Sequence, residues 1–190
     1  MDAVFEDIEV DAVKVGMLST PDGMEAVAEK LKYYRPANIV VDPVMYAKNG
    51  CPLMESAAAK TLIGTVIPLA DVLTPNIPEA EKITGSRIGS IADMEKAAKA
   101  IHTMGCRAVV VKGGHALGNA VDVLFDGKEI CRFDTARIHT KNTHGTGCTF
   151  SSAVASQLAK GANLREAVQK AKGYVTMAIE HSLDIGKGCG

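Results

Sequence analysis

Short β-branched apolar runs alternate along this chain with segments whose apolar residues recur at helical spacing, and that alternation constrains the fold most. The runs are 10–15 (Val-Asp-Ala-Val-Lys-Val), 39–41 (Ile-Val-Val), 71–73 (Asp-Val-Leu) and 108–111 (Ala-Val-Val-Val). Behind the first, Thr20 and Pro21 read as an N-cap and a first-turn proline, followed by Met24, Val27, Ala28 and Leu31 on one face. A helix is expected over 56–67, a short one ending at Gly85, and another opened by Ser90 with Asp93 three residues on. Its apolar face is Met94, Ala97, Ala98 and Ile101. Strands separated by helices predict parallel pairing through crossover connections.

After the fourth run the pattern changes. Segments 120–125 and 128–133 flank Asp126-Gly127, a two-residue hairpin signal. A further strand is expected at 136–140, then helices over about 149–160 and 164–182, the last with Ala167, Ala171, Val175, Ala178 and Ile179 on one face. The fold class is therefore α/β, a mostly parallel sheet with an antiparallel edge hairpin. No internal repeat, low-complexity tract or linker interrupts it, so residues 1–190 read as a single domain.

Composition removes several function classes. Twenty-one Lys and Arg against 22 Asp and Glu leave a net charge of -1, with no basic surplus for nucleic acid. No apolar run reaches the roughly 18–20 residues of a membrane span, and the first residues, Met-Asp-Ala-Val-Phe-Glu-Asp, lack the basic and apolar regions of a signal peptide. Five scattered cysteines without a C-x-x-C pair fit neither a disulfide framework nor a zinc site. The chain reads as soluble and cytoplasmic.

In open parallel sheets ligands gather at the carboxyl ends of the strands. There the sequence places Gly16-Met17-Leu18, then Asp42, then Asn76 with Glu79, then Lys112-Gly113-Gly114-His115. A carboxylate, an Asn/Glu pair, a lysine and glycines on one rim suit a magnesium-bound polyphosphate: oxygen ligands for a hydrated cation, an ammonium for phosphate charge. Each also has a plainer role, Asp42 as a turn former, Asn76 as a helix cap and Lys112 as a solvated lysine. Their joint occurrence on successive strand ends gives them weight.

The strongest local signal is Gly145-Thr146-Gly147-Cys148, where a polar loop becomes a helix. Two glycines allow close backbone approach, and a helix N-terminus favours an anion; the alternative is a glycine-rich turn that only starts a helix. Cys148 reads as a base, a nucleophile or a small packed residue. His144 invites a Cys–His hydrolase reading, but no orienting third member accompanies it. The chain has no G-x-x-x-x-G-K-[ST], no G-x-G-x-x-G after the first strand and no H-E-x-x-H.

Val15-Gly16-Met17-Leu18, Val41-Asp42-Pro43-Val44-Met45, Thr74-Pro75-Asn76-Ile77-Pro78-Glu79-Ala80, Lys112-Gly113-Gly114-His115 and His144-Gly145-Thr146-Gly147-Cys148-Thr149 occur in this order. Together they resemble the hydroxymethylpyrimidine/phosphomethylpyrimidine kinases of thiamine biosynthesis, in the ribokinase-like superfamily, over almost the whole chain. The resemblance implies a ribokinase-like three-layer sandwich. It also implies ATP-dependent phosphorylation of 4-amino-5-hydroxymethyl-2-methylpyrimidine and then of its monophosphate, with ATP and Mg2+ as cofactors and a possible homodimer. Gly145, Thr146, Gly147 and Cys148 would form the anion hole, with Cys148 at the position of the catalytic base. Asn76 and Glu79 match an N-x-x-E magnesium motif, acting through water. Asp42, Lys112, Asn76, Thr146 and Lys172 match nucleotide positions, and Met17 and Val44, with Cys148, the pyrimidine pocket.

Members of that family begin with a further strand, a glycine-rich stretch and lid elements, and nothing before Val10 resembles them. The resemblance therefore implies a domain incomplete at its N-terminus, with exposed backbone at a sheet edge and marginal stability. Pyridoxine/pyridoxal kinase is the alternative within the class. A non-catalytic nucleotide-binding fragment, or a subunit dependent on a partner, is the alternative outside it.

Overall fold

Each of the four apolar runs becomes a strand in the computed structural model, which describes residues 1–47, 50–114, 119–183 and 185. The expectations placed on Asn49, His115 and the terminal Gly188-Cys189-Gly190 fall outside those residues. Strands β1 (Val13–Val15), β2 (Ile39–Val41), β3 (Val72–Leu73) and β4 (Val109–Val111) pair in parallel. The antiparallel hairpin β5 (Ala120–Phe125) and β6 (Ile130–Thr135) continues the sheet, in the order β1-β2-β3-β4-β5-β6. All four parallel strands thus deliver their carboxyl ends to one rim.

Alternation along the strands builds a core on each face. Val41, Leu73, Val109 and Val111 point toward α2 (Pro21–Tyr34), α4 (Ile77–Thr84), α5 (Ile91–His102) and the segment from α3 (Ser56–Thr61) onward. Val40, Val72, Val110, Leu124 and Phe133 point the other way, onto α6 (Thr146–Ala159) and α7 (Leu164–Glu180). This is a three-layer α/β sandwich, the architecture that the resemblance implies. Leu73 is fully buried; truncating such a leucine to alanine costs about 2–5 kcal/mol. A short helix, α1 (Asp2–Phe5), lies against α2, with Phe5 stacked on Tyr34 and Asp2 bonded to Lys30 at 2.7 Å. No helix among the described residues is long and apolar enough to cross a membrane.

Helix starts follow their caps. Thr20 Oγ1 accepts the Gly23 N–H at 3.3 Å and Ser90 Oγ the Asp93 N–H at 3.2 Å. The helix expected over 56–67 is α-helical only to Thr61; it widens into a π-turn at Leu62–Val66 and ends in a 3-10 turn at Ile67–Leu69. Pro68, which has no N–H to give, closes it.

Four expectations are corrected. The first strand occupies only 13–15 of the expected 10–15. The second hairpin strand starts at Ile130 rather than 128, because Asp126 Oδ1 accepts the N–H groups of Lys128 and Glu129 at 2.9 and 2.7 Å and draws both into the turn. Residues 136–140 form no strand: the chain leaves the sheet edge there to reach α6. On the last helix Ala178 is exposed, and Val168 and Lys172 are buried instead.

Candidate active site

Asp42 follows the last residue of β2 and is 2% exposed. A carboxylate so placed requires partners, and among the described residues it has three. Lys112 Nζ donates to its Oδ1 at 2.8 Å, Thr74 Oγ1 to the same oxygen at 3.4 Å, and Ser151 Oγ to Oδ2 at 3.3 Å. Lys112 comes from the end of β4, Thr74 from the end of β3 and Ser151 from the second turn of α6, so one carboxylate ties three elements together.

The glycine-rich motif stands where the loop becomes a helix, as expected, and supplies the N-cap and first turn of that helix. Gly145, at φ 77, is the N-cap, and α6 begins at Thr146 rather than about 149. The left-handed φ is what calls for glycine there. No side chain among the described residues caps this helix, and Thr146 directs its hydroxyl back to the Thr143 carbonyl at 2.9 Å. The first-turn amides therefore keep their donors for an outside acceptor. A Cβ on Gly147 would stand 3.3 Å from Lys112 Nζ and 4.0 Å from Asp42 Oδ2. The uncapped helix end and the buried ion pair thus meet at a residue with no side chain. Cys148, next in the turn, is exposed.

Asn76 and Glu79 form a reciprocal capping box at the start of α4: Asn76 Oδ1 accepts the Glu79 N–H at 2.9 Å, and Glu79 Oε2 the Asn76 N–H at 2.8 Å. Burial pushes that carboxyl up to about 6, against the opposing pull of the Lys112 ammonium and the Asn76 amide, while the Asp42 charge adds to the rise. Asn76 bridges Lys112 in parallel, and the Lys112 N–H bonds the Pro75 carbonyl at 2.8 Å.

The structure therefore brings Gly147 up to the bonded pair Asp42–Lys112, with Asn76 and Glu79 beside them and Thr146 and Cys148 flanking Gly147. Val44 sits in the tight turn after Asp42, its N–H bonded to the Asp42 carbonyl at 2.8 Å, and Met17 is 54% exposed on the rim. Neither lines the cavity of about 760 Å3 between the β1–α2 and β2–α3 connections, whose walls include Thr20, Met45, Tyr46 and Met54. A second groove, of about 610 Å3, runs between α6 and α7 from Cys148 past Gln157 to Lys170 and Tyr174. Lys172 does not join the cluster: its ammonium is bonded at 2.8 Å to both Asp122 and the Ala120 carbonyl.

Two members of the cluster were not anticipated. Thr74 ends a strand as Asp42 does, and Ser151 lies four residues beyond Gly147, on the same helix face. That i+4 spacing was the available signal for Ser151.

The family profile described as phosphomethylpyrimidine kinase matches residues 1–190. A thiamine biosynthesis bifunctional protein of Geobacter sulfurreducens is 51% identical over 191 residues, covering 100% of this chain and 39% of its own length. Among solved structures, an ADP complex of Bacillus subtilis pyridoxal kinase superposes with a TM-score of 0.89 at 40% identity, over 98% of this chain and 70% of the other. A phosphomethylpyrimidine kinase from Clostridium difficile gives a TM-score of 0.84 at 44% identity, over 94% and 73% of the two chains.

Proposed function

The chain belongs to the phosphomethylpyrimidine kinase family of ATP-dependent, ribokinase-like phosphotransferases, and we propose that it moves the γ-phosphoryl group of ATP onto the hydroxymethyl oxygen of 4-amino-5-hydroxymethyl-2-methylpyrimidine, then onto the resulting monophosphate. The observation that carries this reading is the meeting of the uncapped α6 N-terminus with the Asp42–Lys112 pair at Gly147.

Phosphoryl transfer asks for positioning and charge stabilisation more than for covalent chemistry by the protein. The amides of Thr146, Gly147 and Cys148 point their donors toward the charge that grows on the transferred group. Lys112 adds an ammonium, which Asp42 holds in place at 2.8 Å. The acceptor hydroxyl gives its oxygen to phosphorus as the bond to the ADP oxygen breaks. Cys148 holds that hydroxyl, whose proton passes to the Cys148 sulfur where that is a thiolate, or leaves with the phosphoryl oxygens where it is a neutral thiol.

No three His, Cys, Asp or Glu residues among those described are grouped to hold a metal directly. Asn76 Oδ1 and the Glu79 carboxylate are already engaged in the capping box. This donor set fits Mg2+ that keeps its water shell, with Asn76 and Glu79 holding waters rather than the ion. Bound with ATP, the ion would offset charge on the phosphate oxygens.

The TM-score of 0.89 to a pyridoxal kinase favours a second reading, phosphorylation of the hydroxymethyl group of pyridoxal or pyridoxine by the same machinery. Turnover of the pyrimidine and of pyridoxal, compared at equal concentration with Mg-ATP, separates them. Preference for the pyrimidine supports the first reading and preference for pyridoxal the second. ADP binding without turnover of either supports a nucleotide-binding fragment.

A further inference from the structure

Lys172 and Asp122 form a second buried ion pair, which the phosphoryl-transfer account leaves unused. Their side chains are 6% and 10% exposed, and Lys172 Nζ lies 2.8 Å from Asp122 Oδ2. Removing two charges from water is costly, so such a pair is a weak source of net stability. Its geometry points to another role. The Lys172 ammonium is anchored at 2.8 Å to the Ala120 carbonyl, and the second Asp122 oxygen accepts the N–H of Gly113 at 2.8 Å. A Cβ on Gly113 would overlap the Val121 carbonyl oxygen, so at this point β4 and β5 approach too closely for any residue but glycine.

Gly113 directly follows Lys112. On one flank the Lys112 N–H bonds the Pro75 carbonyl; on the other, Asp122 bonds the Gly113 N–H. The backbone that carries Lys112 is therefore held from both sides, and Lys172 fixes the acceptor on the second side. We propose that Lys172 is a positioning residue for phosphoryl transfer. Through Asp122 it sets the Gly113 amide, and with it the strand end from which Lys112 reaches Asp42 and Gly147, without touching the nucleotide. This rests on the kinase reading above.

A double-mutant cycle tests it. Lys172→Met strands the Asp122 carboxylate and should lower kcat by about tenfold or more. Adding Asp122→Asn removes the stranded charge but keeps an oxygen for Gly113, and should restore most of the loss. The pair Asp122→Leu/Lys172→Met, equally neutral but without an acceptor, should fold by circular dichroism, stay low in kcat and exchange the Gly113 amide hydrogen faster than wild type. If Asp122→Asn/Lys172→Met stays as impaired as Lys172→Met, the ammonium itself contacts substrate and the proposal is wrong. Equal kcat for the two double variants would also overturn it, because the tie would then be structural only. If wild type turns over neither substrate, the kinase reading fails. Gly113 exchange and Mg-ADP affinity across the same variants then decide the positioning claim: an Asn-containing pair that matches wild type beside an impaired Leu-containing pair supports it, and any other pattern overturns it.

Discussion

Ser151 reaches across from α6 to place its hydroxyl 3.3 Å from Asp42 Oδ2, at the far end of the carboxylate from Lys112. Ser151 Oγ also lies 3.2 and 3.0 Å from the carbonyl oxygens of Gly147 and Cys148. A hydroxyl has one proton to give, so the bond to Asp42 competes with back-bonding to the helix. Where that proton resides decides whether α6 is held in register with the strand ends.

Ser151→Ala removes the cross-element bond and leaves an alanine that suits a helix. The lost bond and the better propensity roughly offset, so stability should change by no more than about 1 kcal/mol. kcat should fall by about tenfold, because the α6 amides lose their tie to Asp42. Steady-state kinetics beside a denaturation curve checks both; an unchanged kcat would assign the hydroxyl to back-bonding alone.

Gly147→Ala separates folding from function in the other direction. Alanine is a better helix residue than glycine by about 1 kcal/mol, so the melting midpoint should hold or rise. The new methyl would sit 3.3 Å from Lys112 Nζ, tight enough to displace the ammonium. kcat/KM for ATP should drop by about tenfold or more. A variant as active as wild type would show that Lys112 has no need of that space.

Gly113→Ala should be severely destabilising, by about 3 kcal/mol or more, since its Cβ would overlap backbone rather than a side chain that can rotate away. Urea denaturation measures this directly. A loss under about 1 kcal/mol would mean that β4 and β5 separate easily there.

Glu79 should make stability depend on pH. Its carboxyl is raised from 4.5 to about 6, chiefly by burial. Between those values the folded state binds more protons than the unfolded one, so stability falls as pH rises. The contribution is fully present below about 4.5, is lost above about 6 and amounts to roughly 2 kcal/mol. Glu79→Gln is neutral throughout and keeps an acceptor for the Asn76 amide. Denaturation of both proteins across this window should show a steeper decline with rising pH in wild type, and parallel curves would contradict the account.

The strand–helix alternation and the strand-end residues were legible because local chemistry writes them: β-branched runs, caps at Thr20, Asn76 and Ser90, and polar groups where the runs stop. The meeting of Asp42 with Lys112, 70 residues apart in sequence, could be expected only from parallel topology. Thr74 and Ser151 were missed because a hydroxyl has no pattern of its own; only its placement on a helix face or strand end marks it. The pair Asp122–Lys172 was hidden because a lysine on a helix of mixed charge reads as solvated, and its burial depends on a strand 50 residues away. Segment 136–140 looked like a strand from its residues alone, but strand formation needs a neighbour, and none of the described residues pairs with it.

We propose that this chain transfers phosphate to the pyrimidine's hydroxymethyl group at the first turn of α6. Pyrimidine-dependent ADP release with Mg-ATP, measured for wild type beside Cys148→Ala, tests it most directly. Release should require the pyrimidine and fall by about a hundredfold or more in the variant, the usual scale for removing a group that handles the transferred proton. Release independent of the pyrimidine, or equal in the two proteins, would contradict it.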